Sequence, residues 1–291
     1  MTSETSQSLS KITKSILNQY GIKLNRNLGQ NYLIDKNKRD QIIGFGDINE
    51  DDVVLEIGTG IGTLTIELAK RAKKVIAIEQ DTRICEILAK RLEDEKIDNV
   101  ELINDDALKV EFPHFNKIIS NLPYQISSPI TFKFLDYDFD RAVLMYQKEF
   151  AERMNGEVAT KNYSRLSAML YFKCDVVKLT DVSSESFIPK PEIDSTVVCL
   201  KPKENSIPED DFRFYSKITK ALFQHRNKKI RNALIDSRHI FCGLDKKEMK
   251  KALNSIDDEK VEEYLKMRVV ALSPEEILFL SGKINEALEG R

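Results

Sequence analysis

The tetrapeptide Asn121-Leu122-Pro123-Tyr124 offers the most specific chemistry in this sequence. It follows the strand-like run 117–120 and places an amide, backbone carbonyls and an aromatic ring at one turn. Amide and carbonyl oxygens accept hydrogen bonds from N–H groups, and an aromatic ring stacks on a flat heterocycle. The segment is therefore suited to binding a base that carries an exocyclic amine.

Such an amine is a poor nucleophile because its lone pair is delocalised into the ring. Hydrogen bonds to the Asn121 side-chain oxygen and to the carbonyl of Leu122 or Pro123 favour a more tetrahedral nitrogen, whose lone pair can point at a methyl donor. Positioning and electrostatics supply the catalysis in this scheme. Tyr124 is expected to stack on one face of the base. Phe187 is a candidate for the opposite face, and a core position beside a proline loop is its alternative.

A glycine turn follows the strand pattern at 53–57. Gly58, Gly60 and Gly62 allow the backbone to approach a ligand closely. Thr63 stands where the dinucleotide-binding fingerprint requires its third glycine, so that fingerprint fails. Because a glycine turn alone is a common packing device, its meaning depends on the residues at neighbouring strand ends.

Acidic residues end the next two predicted strands. Glu79, 21 positions after Gly58, can accept both hydroxyls of a ribose. Asp105 and Asp106 precede the small residue Ala107, and the carboxylate of either one can accept a hydrogen bond from the amino group of an adenine ring. Each acid taken singly is also compatible with a solvated strand end or a turn cap. The three features at successive strand ends predict a pocket for S-adenosylmethionine (SAM), and with the tetrapeptide they predict a methyltransferase acting on adenine or a related amine.

These residues need a sheet that brings strand ends together. The predicted strands are 53–57, 74–79, 100–103, 117–120 and 142–145, and the predicted helices among them are 64–71 and 82–93. Alternating strands and helices predict an α/β, Rossmann-like fold with a mostly parallel seven-stranded sheet. Two later apolar runs, 168–179 and 196–200, are expected to close the sheet in antiparallel fashion.

The composition changes near 202–208, where we place a domain boundary. Residues 11–204 are predicted to form the methyltransferase domain. Residues 209–291 show no clear strand pattern and are predicted to form a small helical RNA-binding domain, with amphipathic helices at 212–223 and 275–287. The Ser/Thr-rich segment 1–10 is expected to be a disordered leader.

The overall composition, with 41% hydrophobic and 32% charged residues in a chain of 291, is typical of a globular protein. No apolar run approaches the ~18 residues that span a bilayer. The four cysteines form no CxxC pair, and the three histidines complete no metal-ligand pattern. We therefore expect a cytoplasmic protein that binds neither a metal nor a membrane. We also expect it to act as a monomer.

The net charge of -2 conceals a basic segment. Between Arg213 and Lys251 there are twelve Lys/Arg and three acids, a local excess of +9. Within it, the candidate phosphate contacts are Arg226, Lys228, Lys229 and Arg231. A solvated helix face is the alternative, but the scarcity of acids favours RNA.

The sequence resembles the ribosomal RNA small-subunit adenine N6,N6-dimethyltransferases. The matching segments, in family order, are 27–35 (NLGQNYLID), 54–65 (VLEIGTGIGTLT), 78–81 (IEQD), 121–129 (NLPYQISSP), 146–153 (YQKEFAER), 163–167 (YSRLS) and 187–195 (FIPKPEIDS). Gln125, where many members have Asn, is a minor departure to which we attach no functional change.

The resemblance implies transfer of two methyl groups from SAM to each of two adjacent adenosines. These adenosines lie in the hairpin near the 3′ end of small-subunit rRNA, within an assembling ribosomal subunit. By position, the implied SAM contacts are Asn31, Leu33, Gly58, Glu79, Asp106 and Asn121, with Gly60 in the same turn. The tetrapeptide is the implied adenine site, with Phe187 opposite and RNA bound across both domains.

Two alternatives remain at this point. Large-subunit rRNA adenine methyltransferases that confer macrolide resistance share a similar tetrapeptide, although Pro129 and the loop 187–195 resemble the small-subunit group better. A protein of a different class, an assembly factor that mainly binds a pre-ribosomal subunit, would not need the catalytic residue types that this chain keeps.

Overall fold

The computed structural model describes residues 8–22, 31–204 and 207–290. The chain divides into two compact units. The first comprises Met1–Ala151 and Val176–Pro202, and the second comprises Glu152–Asp175 and Lys203–Arg291. This division assigns 152–175 to the second unit, whereas the sequence-based boundary placed the whole of 11–204 in one domain. The functional domain assignment stays a prediction.

The N-terminal helix begins within the segment 1–10 that was expected to be a disordered leader. Residues 1–7 of the predicted leader lie outside the described residues, but α1 (Leu9–Gln19) covers its last two positions. Ser8 caps this helix, since its side chain accepts a hydrogen bond from the Lys11 N–H. The first N–H groups of a helix have no partner within the helix, and a capping side chain supplies one. This cap explains why the helix begins at Leu9.

The first unit is built on a mixed sheet. The strands of the described chain are β1 (Tyr32–Leu33), β2 (Val53–Ile57), β3 (Lys74–Ile78), β4 (Val100–Ile103), β5 (Lys117–Asn121), β6 (Arg141–Gln147), β7 (Cys174–Val182), β8 (Phe187–Ile188) and β9 (Ser195–Pro202). Seven of them form one sheet in the order β4-β3-β2-β5-β6-β9-β7. The pairs from β4 to β6 are parallel, and β9 is antiparallel to β6. The predicted sheet and its antiparallel closure by 196–200 are confirmed.

Helices cover the sheet because its central strands are apolar on both faces. The helices that precede or alternate with these strands are α2 (Lys36–Phe45), α3 (Thr65–Ala69), α4 (Thr82–Asp94), α5 (Ser127–Phe134) and α6 (Lys148–Met154). Val54, Leu55 and Ile118 are fully buried, while Leu88 and Leu92 of α4 pack beside Val100. This packing fixes the strand ends from which the candidate site is made.

A separate two-stranded sheet joins distant parts of the first unit. In it, β1 pairs antiparallel with β8, so that Tyr32 faces Ile188 and Leu33 faces Phe187. The pairing places residue 31 and the loop after β8 beside the ends of the main sheet.

The run 168–179 forms a strand of the sheet only in its second half, which lies next to β9, and the expectation was wrong for its first half. It begins in α7 (Arg165–Lys173), and the strand β7 starts at Cys174. The Ser167 hydroxyl accepts a hydrogen bond from the Ser164 N–H at 2.9 Å, which stabilises the start of the helix. A buried helix and a buried strand have the same apolar composition, so the apolar run did not distinguish them.

The second unit is helical where it is described. Its helices after α7 are α8 (Glu209–Phe223), α9 (Ile230–Asp236), α10 (Lys246–Asn254), α11 (Glu259–Lys266) and α12 (Pro274–Glu289). The predicted helices 212–223 and 275–287 lie within α8 and α12. The hydroxyls of Tyr163 and Tyr215 donate to the carbonyls of Leu272 and Ala168 at 2.8 and 2.9 Å, and these bonds satisfy the buried hydroxyls.

Candidate active site

A cavity of about 390 Å³ lies at the carboxyl ends of β2, β3, β4 and β5. It is lined by 56–60, 78–81, 105–107 and 121–126, together with 31–33. Ligands in open α/β sheets bind outside the carboxyl ends of the strands. All seven predicted cofactor-binding residues therefore meet at one cavity, as does the whole tetrapeptide.

The glycine turn has a conformation that other residues adopt at a cost. Gly58 and Gly60 have φ angles of +71° and +54°. A Cβ atom on Gly58 would lie 2.8 Å from the Pro123 ring, and one on Gly60 would lie 3.1 Å from the Tyr32 ring. The glycines therefore allow the turn to touch both the tetrapeptide and the residue after Asn31.

Glu79 holds this turn from the neighbouring strand end. Its carboxylate accepts hydrogen bonds from the N–H groups of Gly60 and Asp81, both at 3.0 Å. Burial raises the pKa of the Glu79 carboxyl, and the nearby Asp81 charge adds to the increase. A carboxylate oxygen accepts more than one hydrogen bond, so Glu79 can hold the turn and still bind hydroxyls in the cavity.

A hydrogen bond sets the orientation of the Asn121 amide. Its Nδ2 donates to the Asn31 carbonyl at 3.2 Å, which leaves Oδ1 as the acceptor for a ligand. The Pro123 carbonyl already accepts the Ile126 N–H at 3.1 Å. The sequence offered the carbonyl of Leu122 or of Pro123 as the second acceptor, and the Leu122 carbonyl is therefore the better candidate.

The two aromatic candidates lie in different surroundings. Tyr124 is half-buried and lines the cavity, and its hydroxyl lies 2.6 Å from the Ser195 hydroxyl. Phe187 is 2% exposed, pairs with Leu33 and packs in the core cluster with Ile119. It is not among the residues that line the cavity. The structure thus favours the core alternative for Phe187, because its pairing with β1 turns the ring into the apolar interior.

Both acids after β4 lie on the cavity wall. Asp106 is the more enclosed, and its Oδ1 accepts the Leu108 N–H at 3.0 Å. Its other oxygen lies 3.4 Å from Lys109 Nζ. Asp105 is exposed and accepts the Asp106 N–H at 2.6 Å. The choice between the two as the adenine contact stays a prediction.

The cavity is acidic. Glu79, Asp81, Asp105 and Asp106 line it, and the described residues on its wall include no Lys, Arg or His. Glu56 also lines it, but its raised pKa leaves it uncharged at neutral pH. Such a wall attracts cationic ligands and disfavours anionic ones.

The sequence reasoning overlooked Glu56. This residue is 2% exposed, and its Oε2 has no hydrogen-bond partner within the described residues. Burial raises the pKa of Glu56 to about 8, and the Glu79 charge contributes to the increase. An acid in the middle of the apolar pattern Val53-Val54-Leu55-Glu56-Ile57 was the signal, since glutamate is rarely buried in this way.

The four basic candidates lie in the second unit, and three of them have partners within it. Arg226 donates to the carbonyls of Lys161 and Thr160 at 3.2 and 3.3 Å. Lys228 pairs with Asp236 at 2.8 Å, and Arg231 donates to Asn254 at 2.5 Å. Lys228 and Lys229 are exposed, whereas Arg226 and Arg231 are half-buried. Part of the basic charge therefore supports the local fold.

Two further observations concern the described ranges as a whole. They contain no group of three or more His, Cys, Asp or Glu side chains arranged to hold a metal ion. They also contain no helix that is both long and apolar enough to cross a lipid bilayer.

The mostly parallel sheet and the cavity at its strand ends define a Rossmann-like methyltransferase. The chain belongs to the ribosomal RNA adenine dimethylase family, whose model matches residues 21–270. The family expected from the sequence motifs is thereby confirmed.

Curated relatives match almost the whole chain. It is 50% identical over 269 residues to the probable ribosomal RNA small subunit methyltransferase A of Methanosphaera stadtmanae, covering 92% of this chain and 96% of that protein. It is 48% identical over 275 residues to the protein of the same description from Methanothermobacter thermautotrophicus, covering 94% and 96%.

Solved structures agree with this assignment. A dimethyladenosine transferase from Plasmodium falciparum is 33% identical, with a TM-score of 0.71 and coverage of 88% of this chain and 98% of that one. The 23S rRNA methyltransferase ErmE is 25% identical, with a TM-score of 0.60 and coverage of 87% and 99%.

Proposed function

We propose that this protein dimethylates the exocyclic amines of two adjacent adenosines in the 3′-terminal hairpin of small-subunit rRNA, using SAM as the donor. The observation that carries the proposal is the single cavity at which the glycine turn, Glu79, the acids after β4 and Asn121-Leu122-Pro123-Tyr124 converge. Membership of the adenine dimethylase family supports the same reaction.

The wall of the cavity fits this donor. SAM supplies a methyl group on a positively charged sulfur, and the acidic lining favours such a cation. Strand order predicts how an extended ligand lies across the site. The adenine would bind at Asp105 or Asp106 after β4, the ribose at Glu79 after β3, and the amino-acid end beside Gly58 after β2. Neighbouring strands are about 4.8 Å apart, so this order brings the reacting carbon towards Asn121 at the end of β5.

The tetrapeptide prepares the acceptor nitrogen. The Asn121 Oδ1 and the Leu122 carbonyl accept its two N–H groups, while the bond from Asn121 to the Asn31 carbonyl keeps the amide in the accepting orientation. These contacts reduce delocalisation and aim the lone pair at the donor side. SAM held by Gly58, Glu79 and the acids after β4 would supply the methyl group as its sulfur–carbon bond breaks, and the surplus N–H proton would leave to solvent. Tyr124 stacks on the base and holds it out of the RNA.

Small-subunit rRNA is the favoured substrate over large-subunit rRNA. Relatives that are 50% and 48% identical are described as small-subunit enzymes, whereas the 23S enzyme is 25% identical. We place the reaction in the cytoplasm, on an assembling ribosomal subunit, with the protein acting as a monomer. The exposed Lys228 and Lys229 supply phosphate contacts.

The experiment is incubation of the protein with radiolabelled SAM and unmethylated small or large ribosomal subunits, followed by mapping of the labelled nucleotides. We expect label on two adjacent adenosines near the 3′ end of small-subunit rRNA. Label confined to large-subunit rRNA would contradict the proposal.

Replacing Asn121 separates catalysis from an assembly role. Asn121→Ala removes the oriented acceptor, so methyl transfer should fall about 100-fold or more while binding to the subunit persists. Asn285→Ala is the matched control, because its amide donates to Glu289 on α12 and does not line the cavity. Unchanged turnover in Asn121→Ala would exclude the role given to this amide.

A further inference from the structure

The Tyr124 ring is attached to the main sheet by a side-chain hydrogen bond. Its hydroxyl lies 2.6 Å from the Ser195 hydroxyl, and either group can be the donor. Ser195 is 0% exposed, whereas Tyr124 is half-buried on the cavity wall. One end of the bond is therefore enclosed, and the other belongs to a side chain that contacts the ligand space.

The position of Ser195 is fixed by the sheet. It is the first residue of β9 and pairs with Gln147, the last residue of β6. The same β6 also pairs with β5, where Met145 of β6 is the partner of Asn121 of β5. Ser195 and Asn121 thus belong to the same hydrogen-bonded sheet and lie at the same end of its strands.

The backbone of Tyr124 is not itself part of the sheet. It begins a single 3₁₀ turn, Tyr124–Ile126, which lies outside the strands. The backbone hydrogen bonds of a turn do not fix the side-chain torsion angles, so the turn alone leaves the ring free to rotate. A bond from the ring's far end to a sheet residue removes that freedom.

The hydroxyl of Tyr124 has no evident proton-transfer role. Burial raises the pKa of this phenol, so it stays protonated at neutral pH and cannot act as a base. Its polar end is satisfied by Ser195, which is the usual requirement for a buried tyrosine hydroxyl. The bond therefore has a geometric effect on the ring.

We infer that Ser195 is a positioning residue for methyl transfer, which holds the Tyr124 ring in the plane where the flipped adenine stacks. The inference rests on the proposed function and extends it from the tetrapeptide to a residue 71 positions away. Ser195 closes the FIPKPEIDS segment, whose pattern alone indicated no task for this serine.

The test is a double-mutant cycle with Ser195→Ala, Tyr124→Phe and the double variant, using SAM and unmethylated small subunits. Immobilising one side chain on binding typically costs a factor of about 3 to 10, so each single variant should lower kcat/KM for RNA by that factor. The double variant should be no worse than either single variant within about twofold, because both remove one bond. The dissociation constant for SAM should stay unchanged in all three.

Several outcomes would overturn the inference. Full activity in Ser195→Ala would do so, and so would multiplicative losses in the double variant, which would mean that Ser195 acts by another route. Loss of SAM binding would indicate a structural role. If Ser195→Ala fails to fold, Tyr124→Phe still removes the bond, and its full activity would refute the anchoring role.

The control is Ser281→Ala, another buried serine, whose hydroxyl donates to the Leu278 carbonyl within α12. It should leave kcat/KM unchanged. The unsubstituted chain reports on the proposed function separately. If the unsubstituted protein does not methylate rRNA, the proposed function is contradicted. If both it and the Ser195→Ala variant are fully active, only this inference is contradicted.

Discussion

Glu56 provides the sharpest test of the electrostatics of the cavity. Its carboxyl is buried on β2 and has an oxygen without a partner in the described structure, and its pKa is raised to about 8. At neutral pH this side chain is therefore protonated in the folded protein. Glu56→Gln replaces it with a neutral group of the same shape, which cannot ionise at any pH of interest.

The sign and size of the effect follow from proton linkage. Below pH 4.5, the ordinary value, the carboxyl is protonated in both the folded and the unfolded chain. Between that pH and about 8 the unfolded chain releases the proton while the folded chain keeps it, so the free energy of unfolding falls as the pH rises. The interval spans about 3.5 pH units at 1.36 kcal/mol each, so the full decrease is about 5 kcal/mol. Above about pH 8 the contribution is constant.

The assay is urea-induced unfolding at pH values from about 5.5 to 8, followed by far-UV circular dichroism because the chain has no tryptophan. The unsubstituted protein should lose about 3 kcal/mol more than Glu56→Gln over this interval. Glu67→Gln is the control, since its partners Lys70 and Arg71 lower the pKa of Glu67 despite its partial burial. That variant should retain the alkaline decrease. Parallel pH profiles for the unsubstituted protein and Glu56→Gln would refute the reasoning.

Two further predictions concern the glycine turn and the basic segment. Gly58→Ala should destabilise the protein by about 2 kcal/mol and abolish SAM binding, because its φ is +71° and the new Cβ would lie 2.8 Å from Pro123. Gly44→Ala, with nothing within 4 Å of the new atom, should be neutral or stabilising by up to about 1 kcal/mol, and thermal unfolding with SAM titration compares the two. Lys229→Ala should weaken RNA binding and reduce the slope of log K against log salt by about 0.7 to 0.9, measured by filter binding. The exposed Lys260 on α11 is the control, and equal slopes for the two lysine variants would exclude Lys229 as a phosphate contact.

Local patterns predicted the part of the site that the sheet edge organises. Gly58, Glu79, Asp106 and Asn121 each follow a strand whose apolar run is visible in the sequence, and parallel strands bring their ends together. The residue types and their spacing were therefore sufficient to place these four at one cavity. The chain's membership of the adenine dimethylase family is shown by a match over residues 21–270, which contain these four residues.

Contacts between distant segments could not be predicted in this way. Phe187 is buried because it pairs with Leu33, and local pattern contains no information on that register. The hydrogen-bond partners of Arg226 and Arg231 could not be predicted for the same reason. A run of basic residues gives the sign of the charge but not the residues that it contacts in the fold. The elevated pKa of Glu56 depends on complete burial, which is a property of the packed sheet.

The pairing of β1 with β8 has a consequence for synthesis of the protein. Asn31, whose carbonyl accepts a hydrogen bond from the Asn121 amide, precedes a strand whose partner comes more than 150 residues later. Translation must therefore continue past residue 188 before this wall of the cavity has its support. A nascent chain at an earlier stage has the glycine turn and the tetrapeptide but not the pairing of β1 with β8, so we expect it to bind the donor only after residue 188 has been added.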